Sequence, residues 1–309
     1  MNKPWPQSFR SIAIAVTIFI LTPGVTAMGQ TTGTAKVKTI SLGLVSLAFQ
    51  NEVEEHFRDF VRYVARGISP QTQGSVVVAS TALQLVKLLD RKTVDFYMES
   101  PYPTYLINRQ GAAVMILRRW KGGVAEYRSL IFARKDSAIA RLEDLRGKMI
   151  AFEDSGSTSG YFLPKVFLLK KGFRVIEKRR PDARVAGGEI GYVFEAADQT
   201  VPNLVLDKQV SAGAFSDDDY AALDAKSKAA IAILAETEKL PRHLVSTRKD
   251  LNPAIKKRLT EILQSMHQDE EGRRILIQAD NTTKFDLLPG GEEMVRRKFV
   301  DLFRPSAKR

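Results

Sequence analysis

The chain has 309 residues, enough for two domains of ordinary size, and with 44% hydrophobic and 27% charged residues it buries a core and is not disordered. It has no cysteine, which excludes a disulfide framework, a thiolate metal site, a cysteine nucleophile and a lipoprotein anchor. Its three histidines, His56, His243 and His267, make no metal-ligand spacing, and 47 basic against 35 acidic residues give a charge of +12, which points to an anionic partner.

Met1 to Ala27 reads as a secretory signal. Lys3 and Arg10 supply its positive start, Ile12 to Leu21 its apolar run, and Val25-Thr26-Ala27 a small-residue cleavage pattern. An uncleaved anchor is the alternative, although the run is short for crossing a bilayer. Cleavage leaves 45 basic against 35 acidic residues, or +10. No later segment is apolar enough to span a membrane, so the expected product is a soluble periplasmic monomer. Export argues against nucleic acid as the partner. The basic clusters, such as Arg118-Arg119 with Lys121, Lys178 to Arg180 and Lys256 to Arg258, have no aromatic interleaving. They are expected on solvated helix faces and helix C-termini.

Strand-like and helix-like stretches alternate. Lys38–Val45 is rich in β-branched and apolar residues and predicts a strand. Glu52–Ala65 has the apolar spacing of one helix face and ends before Gly67. Ser75–Ala79, Val94–Met98 and Ala112–Leu117 predict strands, with helices at Thr81–Asp90 and Pro101–Gln110. A second set places strands at Arg128–Arg134, Lys148–Phe152, Val210–Phe215 and Ile231–Ala235. Its helices are expected at Phe162–Lys171, Ala197–Leu206 and Asp217–Lys228, with a helical turn at Leu142–Gly147. The chain closes with a strand at His243–Thr247 and helices at Pro253–Met266, Glu270–Gln278 and Glu292–Phe303. This order predicts α/β units with helices on both sheet faces. The absence of a flexible linker places short crossing segments near Val124–Ser129 and Leu240–Val245.

The most informative stretch runs from Phe152 to Tyr161, where a strand ends, a polar loop follows and a helix begins. Ser157, Thr158 and Ser159 are three capping residues in a row. Their hydroxyls and the first helix amides can converge on a tetrahedral oxyanion, aided by the helix dipole. Spacing alone fits an ordinary N-cap equally well. The loop is neither a P-loop nor a dinucleotide fingerprint. Pro164 leaves two arrangements open: the helix starts near it, or its first turn is separate.

Gly156-Ser157-Thr158-Ser159-Gly160-Tyr161-Phe162-Leu163-Pro164 resembles the binding loop of the periplasmic phosphate/phosphite/phosphonate-binding proteins of ABC transporters. Supporting matches are Lys92 to Asp95, Tyr127 to Ile131 with Lys135-Asp136-Ser137, Asp207 to Val210, and Leu240-Pro241. The resemblance covers about Thr39 to Phe303. It implies a two-lobed type II periplasmic-binding-protein fold, each lobe a mixed sheet flanked by helices, with the ligand cleft between. The expected boundaries are 36–126 plus 245–309 for one lobe and 127–244 for the other.

By the same resemblance Ser157, Thr158 and Ser159 bind the phosphoryl oxygens and Tyr127 donates to them. A first-lobe tyrosine of the family has no counterpart here, and Thr81 keeps a hydroxyl near its place. The positions that hold an amine in aminoalkyl-phosphonate binders read Asp198, Asp218 and His243, so an amine-bearing ligand is not favoured over phosphate, phosphite or a small alkylphosphonate. Both aspartates also suit the first turn of a helix, and His243 beside Arg242 suits a hinge. In the loop Glu99 to Pro103, Ser100 and Tyr102 can donate to the ligand. Glu99 would select a protonated ligand, although carboxylates are mostly exposed or paired with arginine. The implied function is capture of a small phosphorus oxyanion for an ABC permease, without cofactor or metal. A receptor reporting to a membrane sensor is the alternative. An enzyme on the same fold is disfavoured, because no nucleophile–base pair is visible.

Overall fold

The computed structural model describes residues 38–46, 50–195 and 200–303; the expected signal segment and Asp198 lie outside the described residues. The chain begins with β1 (Lys38–Val45), α1 (Gln50–Ile68), β2 (Thr72–Ala79), α2 (Ala82–Asp90), β3 (Phe96–Glu99), α3 (Pro101–Asn108) and β4 (Ala113–Lys121). A short strand, β5 (Glu126–Tyr127), leads to β6 (Ser129–Arg134), β7 (Met149–Phe152), α4 (Leu163–Lys170), β8 (Arg174–Glu177) and β9 (Glu189–Phe194). Then come α5 (Val201–Leu206), β10 (Ala212–Ser216), α6 (Asp217–Ala222), α7 (Ala225–Ala230) and β11 (Ile231–Glu236). The chain returns through β12 (Leu240–Pro241) to β13 (His243–Arg248), α8 (Pro253–Ser265), α9 (Glu270–Gln278), β14 (Thr282–Leu287) and α10 (Gly291–Phe303).

These strands make two six-stranded mixed sheets, ordered β14-β4-β13-β3-β1-β2 and β11-β6-β10-β7-β9-β8. Parallel pairs form one side of each, β3-β1-β2 in one and β10-β7-β9-β8 in the other, and antiparallel strands form the remaining side. The chain passes between the sheets at β5 and β12, which pair antiparallel through Leu240 with Tyr127 and Pro241 with Glu126.

Alternate side chains along each strand serve opposite faces, as the pleat requires. On the first sheet Ile40, Leu42, Phe96 and Met98 pack with Phe60 and Val64 of α1 and Leu259 and Leu263 of α8. The intervening Tyr97 joins Leu85 and Leu89 of α2 on the other face. On the second sheet Ile150 and Phe152 share one core with Leu168 of α4, while Met149 and Ala151 share the opposite core with Leu204 of α5. Burial on both faces explains why β7, Met-Ile-Ala-Phe, reads as a continuous apolar run.

Several expectations are corrected. The stretch Asp217–Lys228 forms two helices, because Ser216 caps α6 through Asp219 and Asp224 starts a new helix by accepting from the Ser227 amide. The strands β8, β9 and β14 were not expected from the sequence. The helix expected from Ala197 starts at Val201, with Pro202 in its first turn, where a missing N–H costs nothing.

The basic cluster at Arg118 is also corrected. It lies on β4, where Ala113, Met115, Leu117 and Arg119 face inward. Arg119 is only 2% exposed. Its Nε donates to Thr282 Oγ1 at 2.7 Å, and its Nη2 donates to the carbonyls of Ala279 and Asp280 and to Asp280 Oδ2 at 2.9–3.1 Å. Lys121 Nζ lies 2.8 Å from the same carboxylate. Arg119 is the buried partner, whereas Asp280 is 38% exposed and keeps Lys121, so removing Arg119 chiefly leaves its buried acceptors unpaired, at a cost of about 1–3 kcal/mol. Arg119→Ala should therefore lower the urea unfolding free energy by about that amount, whereas a loss below about 1 kcal/mol would show that Arg119 does not hold β4 to β14.

Candidate ligand-binding cleft

The loops after β3 and β7, at the carboxyl ends of parallel strands, are where ligands of open α/β sheets usually sit. After β7 the chain folds back on itself. The Glu153 amide donates to the Gly160 carbonyl at 3.1 Å and the Ser157 amide to the Asp154 carbonyl at 3.1 Å. Ser157 caps the next turn: its Oγ accepts from the Gly160 amide at 2.9 Å and donates to Glu153 Oε2 at 2.6 Å. The turn itself, Thr158–Phe162, is wide, closed from the Phe162 amide to the Ser157 carbonyl and from the Leu163 amide to the Thr158 carbonyl. Pro164 follows in the first turn of α4. Gly160 is required here, since an added Cβ would lie 2.6 Å from Glu153 Cβ and 3.0 Å from Ser157 Oγ.

This loop touches the first sheet's α3. Ser100 occupies the N-cap of α3 but makes no side-chain cap bond of its own. Thr158 supplies one from the opposite sheet: its Oγ1 accepts from the Tyr102 amide at 2.9 Å and donates to Ser100 Oγ at 2.9 Å. The Tyr102 ring stacks on Phe162 with centroids 3.7 Å apart, and Phe303 of α10 packs edge-on against both.

Tyr127 on the crossing strand is buried beside the loop. Burial pushes its phenol up to about 12, against the pull of Arg242 and of the Thr158 and Ser159 hydroxyls. The Arg242 guanidinium lies 4.4 Å from the Tyr127 ring centroid and donates to Asp218 Oδ2 at 2.7 Å. Asp218 is thus both a first-turn residue of α6 and an ion-pair partner. Arg242 fixes the approach of that helix to the crossing.

His243 keeps part of its surface exposed, but its Nδ1 is buried and has no hydrogen-bond partner. Burial holds its imidazole well below the usual range, and Arg119, Arg242 and Lys121 push the same way. Glu99 is half-buried and accepts from the Val45 amide at 2.6 Å, so it is not a solvent-facing carboxylate. Burial raises it to about 7 despite that bond and the nearby Arg119.

The structure therefore brings Ser100, Tyr102, Tyr127, Ser157, Thr158 and Ser159 together, with Glu99, His243 and Asp218 around them. Thr81 is exposed and its hydroxyl caps α2 by accepting from the Gln84 amide at 3.1 Å. Three neighbours escaped the sequence analysis: Arg119, Glu153 and Glu195. Their signal was positional, since Glu153 and Glu195 each follow the last residue of a parallel strand. Burial and the neighbouring Glu153 raise Glu195 to about 7.

Two mixed sheets joined by a paired double crossing, with loops meeting across a cleft, define a two-lobed type II periplasmic binding protein. The family model described as "ABC transporter, phosphonate, periplasmic substrate-binding protein" matches residues 42–288, and the chain belongs to that family. Such proteins are extracytoplasmic, bind small ligands and deliver them to a permease, and the description is that of a transport component and not of an enzyme.

Among similar structures, XAC2383 from Xanthomonas citri bound to ATP is 27% identical, with a TM-score of 0.77 over 86% of this chain and 96% of that one. PhnD1 from Prochlorococcus marinus in complex with methylphosphonate is 15% identical, with a TM-score of 0.62 over 85% and 97%. A binding protein component of an ABC phosphonate transporter from Pseudomonas aeruginosa is 16% identical, with a TM-score of 0.63 over 85% of each chain. No helix among the described residues is long and apolar enough to cross a membrane.

The raised Glu99 makes a pH prediction. A carboxyl whose folded pKa of about 7 exceeds its ordinary value of 4.5 binds more protons folded than unfolded. Its contribution to stability is therefore full below about 4.5 and is lost as pH rises through about 7. Glu99→Gln keeps an acceptor for the Val45 amide and should flatten this fall, gaining on the order of 1–3 kcal/mol relative to the parent above pH 7. Glu195 acts in the same window, so urea unfolding of variant and parent across pH 4–8 is the check; parallel curves would show Glu99 to be ordinary.

Proposed function

We propose that the chain is exported through its N-terminal signal as a monomer, captures a phosphorus oxyanion between its lobes and delivers it to an ABC permease. The observation that carries this is the Ser157–Ser159 loop at the start of a helical segment, meeting Ser100 and Tyr102 across the cleft and Tyr127 at the crossing. Hydroxyls and first-turn amides are hydrogen-bond donors without formal charge. They suit the oxygens of a tetrahedral oxyanion, which needs several donors from different directions. Arg242 adds one cation nearby.

The relatives' ligands support the phosphoryl group as the common element. XAC2383 is described with ATP and PhnD1 with methylphosphonate, and both ligands carry tetrahedral phosphorus. Lobe closure fits the contacts that Thr158 makes with α3, because the loop proposed to receive the anion is the one that joins the lobes.

Calorimetric titration of refolded protein with phosphate, phosphite, methylphosphonate and 2-aminoethylphosphonate tests the assignment. At least one should bind, and Ser157→Ala with Ser159→Ala should weaken it by several kcal/mol, since each hydrogen bond to a charged group contributes about 1.5–3 kcal/mol. Unchanged affinity in the double variant would remove the loop as the site.

A further inference from the structure

A cavity of about 410 Å³ lies away from the cleft, between the end of α3, the start of β4 and α10. Pockets that enclose small organic ligands run from roughly 300 to 1,000 Å³. None of the residues gathered at the cleft lines it. The cleft uses the first turn of α3, whereas Tyr105, Asn108 and Arg109 come from the other end, and an eight-residue helix is about 12 Å long. The floor of the cavity is apolar: Ala113, Met115 and Phe299 are buried there, and Tyr105, Val114 and Val300 are half-buried. Its rim is charged, with Arg109, Lys249 and Arg296 set against Glu292, all four exposed.

The polar groups differ in what they still need. Arg296 already donates to Glu293 through bonds of 2.6–2.9 Å, and the Glu292 charge acts on it as well. Asn108 is committed too: its Oδ1 accepts from the Tyr97 hydroxyl at 2.5 Å and its Nδ2 donates to Ser246 Oγ at 3.4 Å. Arg109 and Lys249 have no carboxylate partner among the described residues. The Arg109 guanidinium lies over the Tyr105 ring, 5.7 Å from its centroid. The Lys249 amide donates to the Ala112 carbonyl at 2.8 Å, which fixes its backbone beside the start of β4. Two uncommitted cations above an apolar floor with aromatic rings suit an anion that carries an apolar body. A guanidinium fork matches the two oxygens of a carboxylate. A bare oxyanion would leave the floor uncovered.

We infer that this cavity is a second binding site, separate from the cleft, for a small organic acid whose apolar body lies on Met115, Phe299 and Val300 and whose carboxylate meets Arg109 and Lys249. The site does not depend on the phosphoryl assignment proposed above, because it shares no side chain with the 157–159 loop.

The test is calorimetric titration of the protein with 4-phenylbutyrate, 4-phenylbutanol and 4-phenylbutylamine, which share a body and differ in the head. The acid should bind at one equivalent and at least about tenfold more tightly than the alcohol or the amine. In Arg109→Gln with Lys249→Gln its advantage over the alcohol should fall to near one; both side chains are exposed, so the fold does not depend on them. Val300→Phe narrows the floor and should weaken the acid and the alcohol alike. In Ser157→Ala with Ser159→Ala the acid should bind as it does to the parent. Equal binding of acid and alcohol, tighter binding of the amine, or an advantage that survives the double glutamine variant overturns the inference. So does unchanged affinity in Val300→Phe, or no binding of the acid at all. Loss of the acid in the Ser157 and Ser159 variant would put it in the cleft and overturns the second site, while leaving the loop as an anion site.

Discussion

The hydroxyl of Thr158 accepts a hydrogen bond from the Tyr102 amide, a first-turn group of a helix that belongs to the other sheet. A helix start leaves its first amides without intrahelical partners, and here Ser100 does not supply the missing acceptor. The approach of the lobes and the capping of α3 are therefore one event. The Tyr102–Phe162 stack, with Phe303 against both rings, makes that event apolar as well as polar. Aromatic pairs of this kind add about 0.5–1.5 kcal/mol beyond the area they bury. Because Phe303 sits at the end of α10, the last helix feels the position of the binding loop.

Charge balance around the cleft is less one-sided than the chain's overall +12 suggests. Glu153, Glu195 and the run Asp217–Asp219 crowd the second sheet's carboxyl edge. Arg242 pairs with Asp218, and Arg128 pairs with Glu236 and Asp217. The pairing neutralises much of the acid. Burial does more: Glu99 and Glu195 are both raised to about 7, so near neutrality each carries a proton part of the time. The binding region can thus receive an anion without being strongly basic.

The strand at Met149 was legible because burial on both faces leaves an uninterrupted apolar run, and those at Lys38 and Ser129 because they are rich in β-branched and apolar residues. β8 and β14 were not, since Arg174-Val-Ile-Glu is an edge strand carrying exposed charge, Thr282 to Leu287 is an edge strand that mixes threonines and charges with its apolar residues, and Gly191 interrupts β9. The loop at Ser157 stood out through its row of capping residues. What it would touch did not, because Ser100 and Tyr102 lie more than fifty positions away and meet it only once both sheets are in place. Arg119 shows the same limit: a cation beside two others reads as surface, and only the parity of β4 turns it inward.

The assignment of the cleft is tested most directly by amide chemical-shift perturbation on isotopically labelled protein titrated with methylphosphonate. The largest shifts should fall on Thr158, Ser159 and Gly160, with a second group at Ser100, Tyr102 and Tyr127 across the cleft. Shifts confined to other surfaces, with these amides unmoved at saturation, would contradict the account.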